Sequence, residues 1–100
     1  MARKPAPSIR TLALQGDLDV FAIHQQWEQT QTLLTAKNEP VELDLSGIGD
    51  LDLSGIQLLS ALDRDLQAKG VQLTVTGAKD EWLTRFAPLG LAGLFSGKHP

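Results

Sequence analysis

The sequence contains no cysteine among its 100 residues. A disulfide framework and a thiolate metal site are therefore excluded, and a reducing, intracellular setting fits this absence. No apolar run approaches the roughly 20 residues that a membrane-spanning helix needs. Arg3 and Lys4 are followed by Pro5 and Pro7, where a signal peptide would need apolar residues. These absences predict a soluble, cytoplasmic protein.

The sequence also lacks an excess of positive charge, because its formal net charge is -3. An acidic domain is a poor partner for nucleic acid and for an anionic membrane surface, so we expect neither nucleic-acid binding nor direct membrane insertion. About 42% of the residues are hydrophobic, which is enough for one core in a chain of this length. We expect a flexible Pro-containing lead-in over residues 1–8, one domain over residues 9–96, and a short tail over residues 97–100.

Changes in hydrophobic period divide the domain into alternating strands and helices. Strands are predicted at residues 9–14, at residues 41–45, and around Val71, Leu73 and Val75, where apolar and polar residues alternate. Helices are predicted at residues 17–35 and 55–69 and from near Lys79. The first helix has an apolar face and Asp17 or Asp19 as its N-cap, and the second has an inner leucine stripe and Gly70 at its C-terminal end. The predicted inward faces comprise Val20, Ile23, Trp27, Thr30 and Leu34 in the first helix, Leu59, Leu62 and Leu66 in the second, and Trp82, Leu83 and Phe86 in the third.

This strand–helix alternation predicts an α/β fold with a mostly parallel sheet covered by helices. Binding sites on such folds lie at the carboxyl ends of the strands. Residues 16–19 and a predicted Gly-containing loop at residues 46–53 follow the first two strands and should meet there. We therefore expect a partner-binding surface composed of Asp17, Asp19, Asp50, Asp52, Ser54, Gly55 and Gln57.

Ser54 precedes the predicted second helix and has two possible roles. With Gln57 it forms a Ser-x-x-Gln capping box, in which the hydroxyl would accept a hydrogen bond from the Gln57 amide and no further role is required. A helix start also stabilises a phosphate, so Ser54 is equally placed for phosphorylation. The nearby carboxylates would then strengthen the local repulsion and help a phosphate to expel a partner.

The sequence does not support catalysis or a metal site. Asp50, Asp52 and Ser54 match the opening of an EF-hand loop, but Ala61 stands where a bidentate glutamate is required. The glycines of this segment are too sparse for a phosphate-binding loop. His24 lies on the predicted first helix without an evident orienting carboxylate, so it is not a convincing base for Ser54. We expect no catalytic residue, no metal and no cofactor.

The run LDLSG at residues 43–47, followed by Asp52-Leu53-Ser54-Gly55 and an apolar helix, resembles the STAS family, in particular its anti-sigma factor antagonist type. The closing Leu89-Gly90-Leu91 and Leu94-Phe95 are similar to the end of such domains. The resemblance extends from Ile9 to Phe95. It departs from the family at Leu53, where a hydroxyl residue is common, and in the short lead-in, where an extra first strand is usual.

This resemblance implies a regulatory protein and no enzyme. It implies that Ser54 is the phosphoacceptor, with Asp52 as the nearby acidic residue. The implied partner is a serine kinase that doubles as an anti-sigma factor and is released by phosphorylation. The alternative is an unphosphorylated accessory subunit of a lipid-transport ABC ATPase or of a chemotaxis-type signalling complex.

Overall fold

The computed structural model describes residues 9–36 and 39–89. Its elements alternate as the sequence predicts, so the α/β fold class is confirmed. In chain order the strands and α-helices are β1 (Arg10–Leu18), α1 (Ile23–Thr30), β2 (Val41–Leu51), α2 (Leu53–Ala68), β3 (Leu73–Thr76) and α3 (Asp80–Phe86). Short 3-10 helices follow α1 at Gln31–Thr35 and α3 at Ala87–Leu89. The lead-in, the tail and the apolar segment that begins at Leu91 lie outside the described residues.

The three strands form one parallel sheet in the order β1-β2-β3. The regular part of this sheet comprises residues 10–13, 41–44 and 73–76, which pair without a change of register. In it Arg10 pairs with Val41, and Val41 pairs in turn with Leu73. Successive residues of a strand point to opposite faces, so one face receives the apolar residues and the other the polar ones. Val41, Leu43 and Leu45 are fully buried. This regular part is the part of the sheet that apolar–polar alternation predicts.

Beyond the regular part, β1 and β2 continue as a bulged extension formed by residues 15–18 and 47–51. The register slips between Ala13 and Gln15 and again between Gly16 and Leu18. The burial repeat in β2 lengthens from two residues to three, because Leu45, Ile48 and Leu51 are all buried. The loop predicted at residues 46–53 is therefore wrong. A three-residue apolar spacing matches no regular strand, and only pairing with β1 keeps this segment extended.

The first helix starts later than predicted. Asp17 and Leu18 belong to β1, and Leu18 is fully buried, so the chain cannot turn into a helix there. Asp19 accepts hydrogen bonds from the backbone N–H groups of Phe21 and Ala22, which forms a turn before α1 begins at Ile23. Val20 was predicted on the inner face, but it lies in this turn and is 57% exposed.

Helix α2 packs its leucine stripe into the core as predicted, since Leu59, Leu62 and Leu66 are fully buried. Each such side chain contributes about 1.5–3 kcal/mol through burial. The helix ends in a Schellman motif, in which the N–H groups of Gly70 and Val71 donate to the carbonyls of Gln67 and Leu66. Gly70 takes the positive φ of 75° that this motif requires, as the sequence suggests.

One apolar cluster joins the inner face of the sheet to the helices. Trp82 and Phe86 contribute to it from α3 as predicted, and the first turn of α3 contains Asp80 and Glu81. The alternate residues of β2 and β3, among them Asp44 and Thr76, are polar and half-buried. The helices of the described part therefore pack on the apolar face of the sheet.

Candidate functional site

The extension brings the predicted aspartates together at the carboxyl ends of β1 and β2. Asp17 Oδ1 accepts a hydrogen bond from the backbone N–H of Asp50 at 3.0 Å. This contact joins β1 to β2 directly, where the sequence analysis placed two separate loops. Both residues are exposed, so their charge remains at the surface.

Asp52, and not Ser54, caps α2. Its Oδ1 accepts from the Gly55 N–H at 3.2 Å, and its Oδ2 accepts from the Val20 N–H at 3.1 Å. The predicted capping box is therefore wrong, because the helix begins at Leu53, one residue before the serine. Asp52 also ties the turn before α1 to the start of α2. Such a cap contributes about 1 kcal/mol.

Gly55, in the first turn of α2, lies in close contact with the end of β1. A Cβ atom at this position would lie 2.4 Å from the Leu18 carbonyl oxygen and 2.5 Å from Leu51 Cδ1. Both distances are shorter than van der Waals contact, and one involves backbone. The glycine after Ser54 therefore allows the helix to approach the strand. Gly55 is buried, and its role in partner contact stays a prediction.

A groove runs between α1 and the first half of α2, with a cavity volume of about 440 Å³. Ser54 and Gln57 lie on one wall, and Ser54 is half-buried there. The groove is lined by Ile23, His24, Trp27, Ser54, Gln57, Leu58 and Ala61. Trp27 is half-buried in this groove, whereas Trp82 is wholly buried in the core. Trp27 also packs against the core cluster, as expected for the inward face of the first helix.

Exposed apolar side chains stand beside the groove, at the same end of the sheet. Phe21 is 94% exposed, Val20 57% and Leu53 53%. We call these three residues the apolar rim. The sequence analysis missed this feature, since it placed Val20 in the core and did not single out Phe21. The sequence signal was the pair Val20-Phe21 directly after Asp19, a residue that favours turns.

His24 lines the groove but does not form a catalytic arrangement with Ser54. Its Nε2 lies 3.0 Å from Glu28 Oε1, so it has a carboxylate partner that the sequence analysis did not identify. Both side chains are mostly exposed, and no hydrogen bond of the described residues joins His24 to Ser54. A base–nucleophile pair requires that hydrogen bond. Within residues 9–36 and 39–89, no group of three or more His, Asp or Glu side chains could hold a metal ion.

Two positively charged side chains, one at the N-cap of α3 and one within α3, contact the β2 strand of the extension. Lys79 Nζ donates to the Gly49 carbonyl at 2.9 Å and lies 5.4 Å from the centre of the Trp82 ring. Arg85 Nη1 donates to the Leu51 carbonyl at 2.9 Å. Both positive groups are therefore engaged with the backbone of β2.

Asp44 marks the junction between the regular part and the extension. Its Oδ1 accepts from the Ser46 N–H at 2.9 Å. That backbone hydrogen bond, together with the Ser46 side chain, lowers the pKa of the Asp44 carboxyl below its ordinary value of 3.8. Gly77 packs against the backbone of Ser46 and has a φ of 77°. A Cβ atom at this position would lie 2.5 Å from the Ser46 nitrogen.

No helix among the described residues has the length and apolar character that crossing a membrane requires.

Comparison with known families and structures gives the following matches. A family model described as "Mlab, STAS domain" matches residues 2–96. A sulfate transporter family protein from Wolinella succinogenes has a similar structure, with a TM-score of 0.70 and 15% identity over 93% of this chain and 77% of the other. The STAS domain of a SulP transporter from Vibrio cholerae has a TM-score of 0.68 and 17% identity over 97% of this chain and 77% of the other. No curated protein matches the sequence.

Proposed function

This chain belongs to the STAS domain family, and we propose that it is a regulatory protein-binding module whose docking is controlled by phosphorylation of Ser54. The partner docks on the groove and the apolar rim, with Asp17, Asp19, Asp50 and Asp52 beside it. The module acts in the cytoplasm and catalyses no reaction itself. The partner class is a serine kinase that doubles as an anti-sigma factor.

The observation that carries this proposal is the position of Ser54. Asp52 caps α2, so helix capping does not account for the serine. Its side chain instead lies half-buried on the wall of the groove, opposite Trp27 and Ile23. A hydroxyl at the mouth of an apolar groove is suited to control what enters it.

A phosphate on Ser54 would weaken docking for two physical reasons. It would bring a charge of about -1.5 to -2 into a groove that a partner must desolvate. It would also lie close to Asp52, so that like charges would repel each other. An apolar partner side chain could then no longer fill the groove without burying this charge.

The experiment compares the full chain with three variants for retention of its host partner, identified and quantified by mass spectrometry. Ser54→Glu should reduce retention about tenfold or more, the change expected for roughly 1.4 kcal/mol of lost binding. Ser54→Gln has the same shape without the charge and should bind like the unsubstituted chain. Ser60→Glu adds the same charge on α2 at a residue that does not line the groove, and should also bind normally. Equal retention by all four chains would rule out the switch.

A second candidate is a constitutive accessory subunit of a lipid-transport ABC ATPase or of a chemotaxis-type complex. The similar solved structures favour it, because one is described as a sulfate transporter family protein and the other as the STAS domain of a SulP transporter. This candidate requires an ATPase or chemotaxis-type protein bound to a chain without phosphate on Ser54. Phosphate on Ser54 in cells, confined to the unbound pool, would exclude it.

A further inference from the structure

We infer that the docking segment of the partner is apolar and flanked by lysine or arginine, an inference that rests on the docking role proposed above. The apolar side chains of this segment enter the groove and cover the apolar rim. Its positive charges face the four aspartates at the carboxyl ends of β1 and β2. The structure assigns these two functions to adjacent parts of one surface.

Apolar side chains are unusually exposed at the carboxyl end of the sheet. Phe21 leaves 94% of its surface in solvent, beside Val20 and Leu53, each more than half exposed. Scattered apolar residues are normal at a surface. Here the Val20 N–H donates to Asp52, the neighbour of Leu53. The rim residues lie within three positions of the groove residues Ile23 and Ser54. An exposed aromatic side chain of this kind is typical of the residues that dominate a protein interface.

The segments around the groove contain acidic residues but no lysine or arginine. Residues 11–36 and 39–63 contain no lysine and no arginine. These two stretches form the groove, the rim and the extension. The carboxylates at the strand ends are Asp17, Asp19, Asp50 and Asp52. Lys79 and Arg85, on the other side of β2, both donate to its carbonyls, and Arg64 on α2 is the first positive residue after the second stretch.

Within the part of the chain that the structure describes, the carboxylates at the strand ends are not neutralised by a positive side chain. Asp50 is exposed, and its backbone N–H, not its carboxylate, makes the contact with Asp17. His24 on the α1 wall is paired with Glu28. A partner with positive charges would therefore gain complementarity along the whole edge.

The same charges disfavour two other occupants. A symmetric dimer would place this surface against its own copy and oppose carboxylates to carboxylates. An anionic lipid surface would be repelled in the same way. An uncharged apolar segment could fill the groove but would offer no positive charge to the aspartates at the strand ends.

The test uses the full chain with the photoreactive residue p-benzoylphenylalanine in place of Phe21, which preserves an aromatic side chain. The control carries the same residue in place of Ile9, which is 58% exposed near the amino end of β1. After irradiation in the host lysate, the cross-linked peptide is sequenced. We expect position 21, and not position 9, to cross-link to a segment with apolar residues and an excess of lysine and arginine.

Binding measurements on the purified pair complete the test. Phe21→Ser should raise the dissociation constant about tenfold or more, while Ile9→Ser leaves it unchanged. Asp50→Asn should weaken binding about threefold at low salt and less at high salt, whereas Asp65→Asn on the exposed side of α2 should not.

The outcomes separate this inference from the proposed function. A cross-link to an acidic or uncharged segment would overturn the inference and leave a docking module. A cross-link to a second copy of the chain, to lipid, or to nothing beyond the Ile9 control would overturn both.

Discussion

The regular part of the sheet and its bulged extension are built from the same two strands but differ in almost every physical property. In the regular part the pairing keeps one register from Arg10 to Ala13, and burial alternates with a period of two. In the extension the register slips twice within a few residues, and the Asp17 carboxylate supplies a contact between β1 and β2. The comparison teaches that the regular part provides the core, while the extension positions the surface beside the groove.

The extension depends on close approach as much as on hydrogen bonds. Gly55 lies against backbone, and Gly49 lies against the Asp17 carboxylate, where a Cβ would be 2.8 Å from Oδ1. The Leu18 carbonyl beside Gly55 cannot move without shifting β1. The Asp17 carboxylate beside Gly49 is the end of a flexible side chain and can move. Two glycines of the same region should therefore respond differently to the same substitution.

The largest expected effect is that of Gly55→Ala. We expect it to lower the free energy of unfolding by about 2–3 kcal/mol through overpacking, although alanine favours helix formation by up to about 1 kcal/mol. Gly49→Ala is the matched control and should cost about 1 kcal/mol, because Asp17 can move at the expense of its hydrogen bond. Denaturant unfolding measures both values. Equal losses would contradict the distinction between a backbone and a side-chain neighbour.

An intermediate effect is expected for Asp52→Ala, which removes the α2 cap and the contact to the Val20 N–H. The free energy of unfolding should fall by about 1–2 kcal/mol. Ser54→Ala, which removes no cap, should change it by less than about 0.5 kcal/mol. A larger loss for Ser54→Ala than for Asp52→Ala would restore the capping box that the sequence predicts.

The smallest effect is expected at Asp44, where the regular part meets the extension. Its pKa is lowered in the folded state by the Ser46 N–H, so its contribution to stability is present above the ordinary value of 3.8 and is lost as the pH falls through the folded value. Asp44→Asn should therefore remove part of the acid sensitivity of unfolding below about pH 4. Denaturant midpoints measured from pH 7 to pH 3 test this expectation. Asp65→Asn, at an exposed position of α2, is the control, and an unchanged acid response in Asp44→Asn would contradict the role of Ser46.

Sequence reasoning succeeded where a local pattern and the tertiary structure agree. The alternation Leu73, Thr74, Val75 predicts β3 correctly, and the spacing of Leu59, Leu62 and Leu66 predicts the buried stripe of α2. It also identified the end of the sheet at which the candidate site lies, because parallel strands bring their carboxyl ends together.

Reasoning from the sequence failed where two nearby residues could take the same structural role. Asp17 and Asp19 both qualify as helix caps, but Leu18 between them is drawn into the core, which leaves Asp17 in the strand. Asp52 and Ser54 compete for the start of α2, and the need of the Val20 N–H for an acceptor favours Asp52. Val20 follows the apolar spacing of the predicted first helix, yet the turn at Asp19 directs Val20 and Phe21 to solvent.

The sequence by itself determined the α/β order, the strand cores, the leucine face of α2 and the lack of positive charge beside the site, because these depend on composition and short-range periodicity. Only the tertiary structure decided the extension, the cap of α2, the groove and the apolar rim. These features arise from contacts between residues about 30 positions apart, such as Asp17 with Asp50 and Val20 with Asp52. Local propensity contains no information on such contacts, since their energy exists only once β1 and β2 are paired.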